Sequence, residues 1–190
     1  MIKKVSSKTV KNYLFDISKN IDKLSFFSDQ ITEIAEKIYI TINSGNKIIF
    51  CGNGGSAADC QHLASEFVGR FISERAALPA IALTTDTSAL TSIGNDFGFD
   101  QIFSRQLQAI GKRGDILIAI STSGNSENIL KAIEVSKEIG IFSIGFTGQK
   151  GGLMKNNCDI VLAAPSLKTN HIQEMHIVIG HAICTIIDSY

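Results

Sequence analysis

Two stretches of this 190-residue chain hold the residue types that small anions need. In Cys51-Gly52-Asn53-Gly54-Gly55-Ser56-Ala57-Ala58-Asp59, three glycines permit a tight turn and let a ligand reach backbone N–H groups. Ser56 and Asp59 match the S-x-x-D pattern of a helix cap, so a helix start is expected there. In Ser121-Thr122-Ser123-Gly124-Asn125-Ser126, four hydroxyls fall within six residues. A plain turn with Ser126 as N-cap explains one of them. Their density ahead of a helix points instead to an anion held by O–H donors, N–H donors and a helix dipole. This second loop contains no Lys or Arg, which favours a compact phosphate monoester gripped by neutral groups.

Metal or acid–base chemistry has separate candidates. His62 and Glu66 stand one helical turn apart, opposite the apolar stripe Cys60, Leu63, Ala64, Phe67 and Phe71, so their tips can meet at one point. Covered by a second element, they become two legs of a metal site or an acid–base couple; uncovered, they are an exposed pair. Gln173, His176 and His181 lie in a strongly apolar segment, where polar groups need partners. Gln173 and His181 differ by about 80° around a helix axis and about 12 Å along it, so spacing alone does not nominate them for one ion. His171 and His176 read as hydrogen-bonded or exposed histidines. Gly94-Asn95-Asp96-Phe97-Gly98 reads as a turn whose Asn95 and Asp96 can hold sugar hydroxyls.

These side chains must be placed by a scaffold, and the apolar pattern predicts one. Residues 1–45 read as two helices, with Val10, Tyr13, Leu14, Ile17, Ile21 and Leu24 in one stripe and Ile31, Ile34, Ala35, Ile38 and Ile42 in the next. The second stops near Gly45, which suits the left-handed turn past a helix end. From residue 46 to 190, uniformly apolar runs alternate with helical segments. The runs are Lys47–Cys51, Ala80–Leu83, Asp115–Ile120, Phe142–Phe146 and Asp159–Ala163, and the segments Ser56–Arg70, Phe99–Ile110 and Ser126–Ile139. Strands apolar on both faces and alternating with helices predict a parallel sheet in a three-layer α/β domain. Both prolines, Pro79 and Pro165, fall at strand borders. Asn170–Ile187 is a helix apolar almost all round, which predicts burial on several sides and, in so small a domain, a second subunit over it.

Composition bounds the function. Apolar residues make up 44% and Lys+Arg (18) equals Asp+Glu (18), so a real core forms and no long-range field draws nucleic acid. No apolar run approaches the roughly 18 residues of a membrane span. Lys3 and Lys4 lead into no apolar h-region, so no secretory leader is expected. Cys51, Cys60, Cys158 and Cys184 form no CxxC pair, which reads as reduced thiols in the cytoplasm. The glycine loop also fits Gly-x-Gly-x-x-Ala, but the acidic residue a dinucleotide site expects about 20 positions on, at the end of the next strand, is not there: the nearest candidate at that strand end is Asp86, 34 residues past Gly52. No Gly-Lys-Ser/Thr follows it either, which excludes a nucleotide P-loop.

Taken in order, Cys51-Gly-Asn-Gly-Gly-Ser56, His62-x-x-x-Glu66, Gly94-Asn95-Asp96-Phe97-Gly98, Ser121-Thr-Ser-Gly-Asn-Ser126 and Ile172-Gln173-Glu174-x-His176 resemble the phosphoheptose isomerases of the SIS (sugar isomerase) fold family. The resemblance runs over the chain as one SIS domain. It implies a five-stranded parallel sheet between helices, with an N-terminal helical arm, and a cytoplasmic homotetramer whose active sites are shared between subunits. It also implies isomerisation of sedoheptulose 7-phosphate to glycero-manno-heptose 7-phosphate, on the way to bacterial surface glycans. By position, Ser121, Thr122, Ser123 and Ser126 hold the phosphate, and Asn53, Gly54, Gly55, Asn95 and Asp96 line the sugar, with Glu66 and Gln173 also against substrate. His62, Glu66, Gln173 and His181 hold one zinc per subunit, with Glu66 as the base at C1/C2 and His181 moving the oxygen protons. Arg70 reaches toward a neighbouring subunit's site. One position departs: some members carry an acidic residue where this chain has Asn170, followed by His171. The alternative is a non-catalytic SIS interaction module of the replication-initiator-associated type, whose members lack the complete His/Glu/Gln/His set.

Overall fold

The computed structural model describes residues 6–190; the basic pair Lys3 and Lys4 lies outside them. Two N-terminal helices, α1 (Ser7–Asp22) and α2 (Ser28–Asn43), are joined by a 3₁₀ turn at Lys23–Phe27. Gly45 follows with φ +77°, as its position past the helix predicts. Then come β1 (Ile48–Gly52), α3 (Gly55–Val68), β2 (Ala80–Ala82), α4 (Thr87–Asp96), α5 (Ser104–Ile110) and β3 (Ile116–Ile120). The chain continues through α6 (Glu127–Ile139), β4 (Phe142–Gly148), β5 (Ile160–Ala164) and α7 (Thr169–Ile187).

The five strands form one all-parallel sheet in the order β2-β1-β3-β4-β5. Alternate strand residues feed two cores. Ile48, Phe50, Ile118 and Phe146 pack with α2, α3 and α7, while Ile49, Cys51, Leu117 and Ala119 pack with α5 and α6. Burial on both faces explains why the strands read as uniform apolar runs. At the start of the sheet the buried Asp115 carboxylate accepts from the Lys47 N–H (3.0 Å), the Lys112 N–H (2.9 Å) and the Lys47 ammonium (2.6 Å), joining β1 to β3. The strand order reverses between β1 and β3, so the two anion loops open side by side at the sheet's carboxyl edge.

Three local expectations are corrected. The helix after the glycine loop begins at Gly55, with Gly54 at its N-cap position and no side-chain cap, so Ser56 lies buried in the first turn and Asp59 is not a capping partner. That helix ends at Val68 rather than Arg70, and Phe71 leaves the stripe. Gly94-Asn95-Asp96 is not a free turn but the last turn of α4, a helix whose short inward face, with Leu90 and Ile93, is only half-buried; Asp86 caps it by accepting from the Ala89 N–H at 2.9 Å. Within one chain α7 packs against α1, α2, α3 and the sheet. Among its residues from Thr169 onward, Ile177, Val178, Ala182 and Ile186 are half-buried against the same core.

Candidate active site and metal centre

The glycine loop turns because Gly54 adopts φ +54°, a conformation side chains disfavour. That brings Asn53 across to α6, where its side-chain amide and that of Asn128 exchange two hydrogen bonds (2.9 and 2.8 Å). The pairing ties the glycine loop to the serine loop, and neither residue's sequence context announces it.

In the serine loop, the hydroxyl of Ser121 lies 3.0 Å from that of Ser126 and 3.4 Å from that of Ser123. Ser126 occupies the N-cap position of α6 but directs its side chain to Ser121 rather than to the helix N–H groups. Its hydroxyl thus faces the cluster rather than capping α6. The loop is braced from behind: Gly148 N–H donates to Thr122 O (3.0 Å), and the buried His176 Nε2 donates to Thr147 O (3.0 Å). Burial holds the His176 ring neutral, with its pKa lowered to about 4. Thr122, Ser123 and Asn125 wall a cleft of about 320 Å³ together with Gln149, Lys150, Ser166 and Thr169. Lys150 supplies a cation that the loop itself lacks; it comes from the turn after β4, beyond the reach of local sequence reasoning.

Asn53, Gly54 and Gly94 open onto a neighbouring cleft of about 480 Å³ beneath α4, with Leu90, Phe99 and Phe103 as its apolar wall. Asn95 and Asp96 lie exposed at the end of α4, the Asn95 amide donating to the Asp96 carboxylate at 2.7 Å.

The third group lies between α3 and α7. His62 Nε2 is 2.9 Å from His181 Nε2 and 3.4 Å from Glu66 Oε1, and the three donor atoms lie within 4.8 Å of one another. Helical spacing pairs His62 with Glu66; the packing of α7 on α3 adds His181 from 119 residues away. Phe71, released from the helix, stacks on the His181 ring with centroids 5.2 Å apart. Gln173 packs over Gly55 and donates to both oxygens of Asp59 (2.7 and 2.9 Å), one turn before His62. Burial raises the Asp59 pKa, opposed by the Gln173 amide and by nearby His62 and His181. A tetrahedral ion with bonds of about 2.0–2.1 Å spaces its ligands by about 3.3 Å, so two imidazole nitrogens and a carboxylate at these separations fit a zinc-class centre. Asn170 and His171 turn toward α1 instead: Asn170 donates to the Tyr13 hydroxyl (3.1 Å), and His171 Nδ1 lies 2.9 Å from the Asn20 amide.

Comparison with known proteins accords with this architecture. The SIS domain family matches residues 12–148, and the chain belongs to that family. Within it the chain is a member of the phosphoheptose isomerases. It is 51% identical over 186 residues to the phosphoheptose isomerase of Aliarcobacter butzleri (strain RM4018), covering 97% of this chain and 98% of that one. Two solved phosphoheptose isomerases share the fold. The Neisseria gonorrhoeae structure has TM-score 0.91 at 41% identity, with 97% of this chain and 99% of that one covered. The Francisella tularensis structure has TM-score 0.94 at 37% identity, with 98% and 100% covered.

Proposed function

We propose that this chain is an aldose–ketose isomerase that converts sedoheptulose 7-phosphate to D-glycero-D-manno-heptose 7-phosphate, a precursor of activated heptose for bacterial surface glycans. The observation that carries the reading is that a chain of this family brings together His62, Glu66 and His181 and, separately, the hydroxyls of Ser121, Ser123 and Ser126. His62, Glu66 and His181 would hold one zinc per subunit, and the Gln173 side chain would complete the set. When bound, zinc supplies Lewis-acid polarisation of the substrate carbonyl.

The chain's own groups do the rest. Ser121, Thr122, Ser123 and Ser126 fix the phosphate, and Asn53, Gly54, Gly55, Asn95 and Asp96 align the sugar chain. Glu66 takes the proton from C1 of the ketose while His181 gives one to O2, leaving an enediol. His181 then accepts the proton from O1, and Glu66 returns its own to C2 to form the aldose. Glu66 has two carboxylate oxygens, so one would be available as the base while the other faced the metal. The same reading makes the protein a cytoplasmic homotetramer of single-domain subunits, with Arg70 completing a neighbour's site and no nucleic-acid partner. Among the described residues no helix is long and apolar enough to cross a membrane.

Incubation with sedoheptulose 7-phosphate, followed by NMR of the sugar protons, tests the reaction. Appearance of the aldose supports it. Binding without conversion, from folded protein supplied with zinc, contradicts it and favours the non-catalytic interaction module.

A further inference from the structure

The loop between α3 and β2 carries an ion pair that the proposed reaction leaves unused. Arg75 donates through Nε to Asp188 Oδ1 (2.8 Å), through Nη2 to Glu66 O (2.7 Å), and through Nη1 to Phe67 O (2.9 Å) and Ala76 O (3.1 Å). Two of those acceptors are last-turn carbonyls of α3, which lack intrahelical partners. Asp188, just past the end of α7, accepts with its other oxygen from the backbone N–H groups of Ile72 (2.7 Å) and Ser73 (2.9 Å). Both side chains are shielded, with 16% of Arg75 and 3% of Asp188 exposed. Burial pushes the Asp188 carboxyl up, but the Ser73 N–H, Arg75 and the Ile72 N–H outweigh it and hold the group below the usual carboxylate range.

What this pair joins is specific. One end grips the main chain of Glu66 itself. The other closes the end of α7, less than two turns beyond His181, and pins the two residues after Phe71, whose ring stacks on His181. The planar guanidinium fork meets three directions at once, which a lysine ammonium does not reproduce. We infer that the Arg75–Asp188 pair, with Phe71 as its pad on His181, is a positioning element that sets the spacing and orientation of Glu66 and His181 toward a metal ion and substrate.

This inference rests on the proposed metal-dependent isomerase reading, and its test separates the two. Wild type, Arg75→Gln, Arg75→Lys, Asp188→Asn and Phe71→Leu are compared for zinc affinity by chelator competition, for kcat and KM on sedoheptulose 7-phosphate, and for folding by circular dichroism. Groups supporting metal ligands typically account for 10–100-fold in affinity or activity. Arg75→Gln and Asp188→Asn are expected to weaken zinc binding and lower kcat by at least tenfold, with KM within about twofold because the serine loop is untouched. Arg75→Lys, which keeps the charge and loses the fork, is expected to fail to rescue. Phe71→Leu, which leaves the pair intact, is expected to weaken zinc binding alone by a smaller factor. If Arg75→Gln or Asp188→Asn does not fold, Arg75→Lys and Phe71→Leu carry the test. Folded variants with wild-type zinc affinity and kcat, even if less stable, overturn the inference. A wild type that neither binds zinc nor turns over overturns the parent reading instead.

Discussion

Gly180 lets α3 and α7 approach closely, and replacing it with alanine tests how tightly that contact sets the site. A Cβ built there lies 2.4 Å from Leu63 Cδ2, 2.7 Å from Cδ1 and 3.1 Å from Cγ. Comfortable carbon contacts are about 3.5–4.0 Å, so at least an ångström of room is missing. Leu63 is only 2% exposed and packed in the core, so it has nowhere to swing. Glycine to alanine inside a helix ordinarily stabilises by about 1 kcal/mol, whereas overpacking a core costs about 1–3 kcal/mol. Gly180→Ala is therefore expected to be neutral or to lose up to about 2 kcal/mol, and to weaken zinc binding, because His62 precedes Leu63 and His181 follows Gly180. Leu63→Ala alone is expected to cost about 2–5 kcal/mol through the cavity it leaves. In the double variant the new methyl has room, so the combined loss falls short of the sum by about 0.5–3 kcal/mol. Urea unfolding of the four proteins gives these values. A Gly180→Ala protein that gains the full helix-propensity increment, with no coupling to Leu63→Ala, refutes the close-approach argument.

Other outcomes follow from the same geometry. Glu66→Gln is expected to fold yet lose turnover by orders of magnitude; near-wild-type kcat removes Glu66 from the proton path. Ser123→Ala is expected to raise KM with little change in kcat, by about 1–3 kcal/mol of lost phosphate binding, and unchanged saturation behaviour undoes the phosphate assignment. His176 has a folded-state pKa of about 4 against an ordinary 6.5, so the unfolded chain binds its proton more readily. Its stabilising contribution is complete above about pH 6.5 and is lost as pH falls toward 4, by roughly 3 kcal/mol in all. His176→Gln is expected to flatten that part of the unfolding free energy measured against pH, and an unchanged slope contradicts the buried neutral ring.

What was legible in the sequence depended on range. The glycine loop, the serine loop and all five strands could be read locally, because a strand buried on two faces shows as an unbroken apolar run and glycine or hydroxyl clusters stand out against it. The helix α4 stayed hidden because its inward face is short and only half-buried, formed by Ala89, Leu90, Ile93 and Gly94. The Ser56–Asp59 cap was misread because Gly54 makes the turn and Asp59 is drawn instead to Gln173. Two of the three members of the candidate metal group, His62 and Glu66, lay within one helical turn. His181 entered it only through the packing of α7, which spacing along that helix left undecided. The Asn53–Asn128 and Arg75–Asp188 pairings join residues 75 and 113 positions apart, and no local pattern encodes either.

The central claim is that His62, Glu66 and His181 form a zinc centre serving an isomerase. It is tested most directly by assaying sedoheptulose 7-phosphate turnover with the protein as isolated, after exhaustive chelation, and after zinc is restored. The account predicts that turnover disappears with the metal and returns with zinc, in wild type but not in His62→Ala. Full turnover from metal-free protein contradicts it.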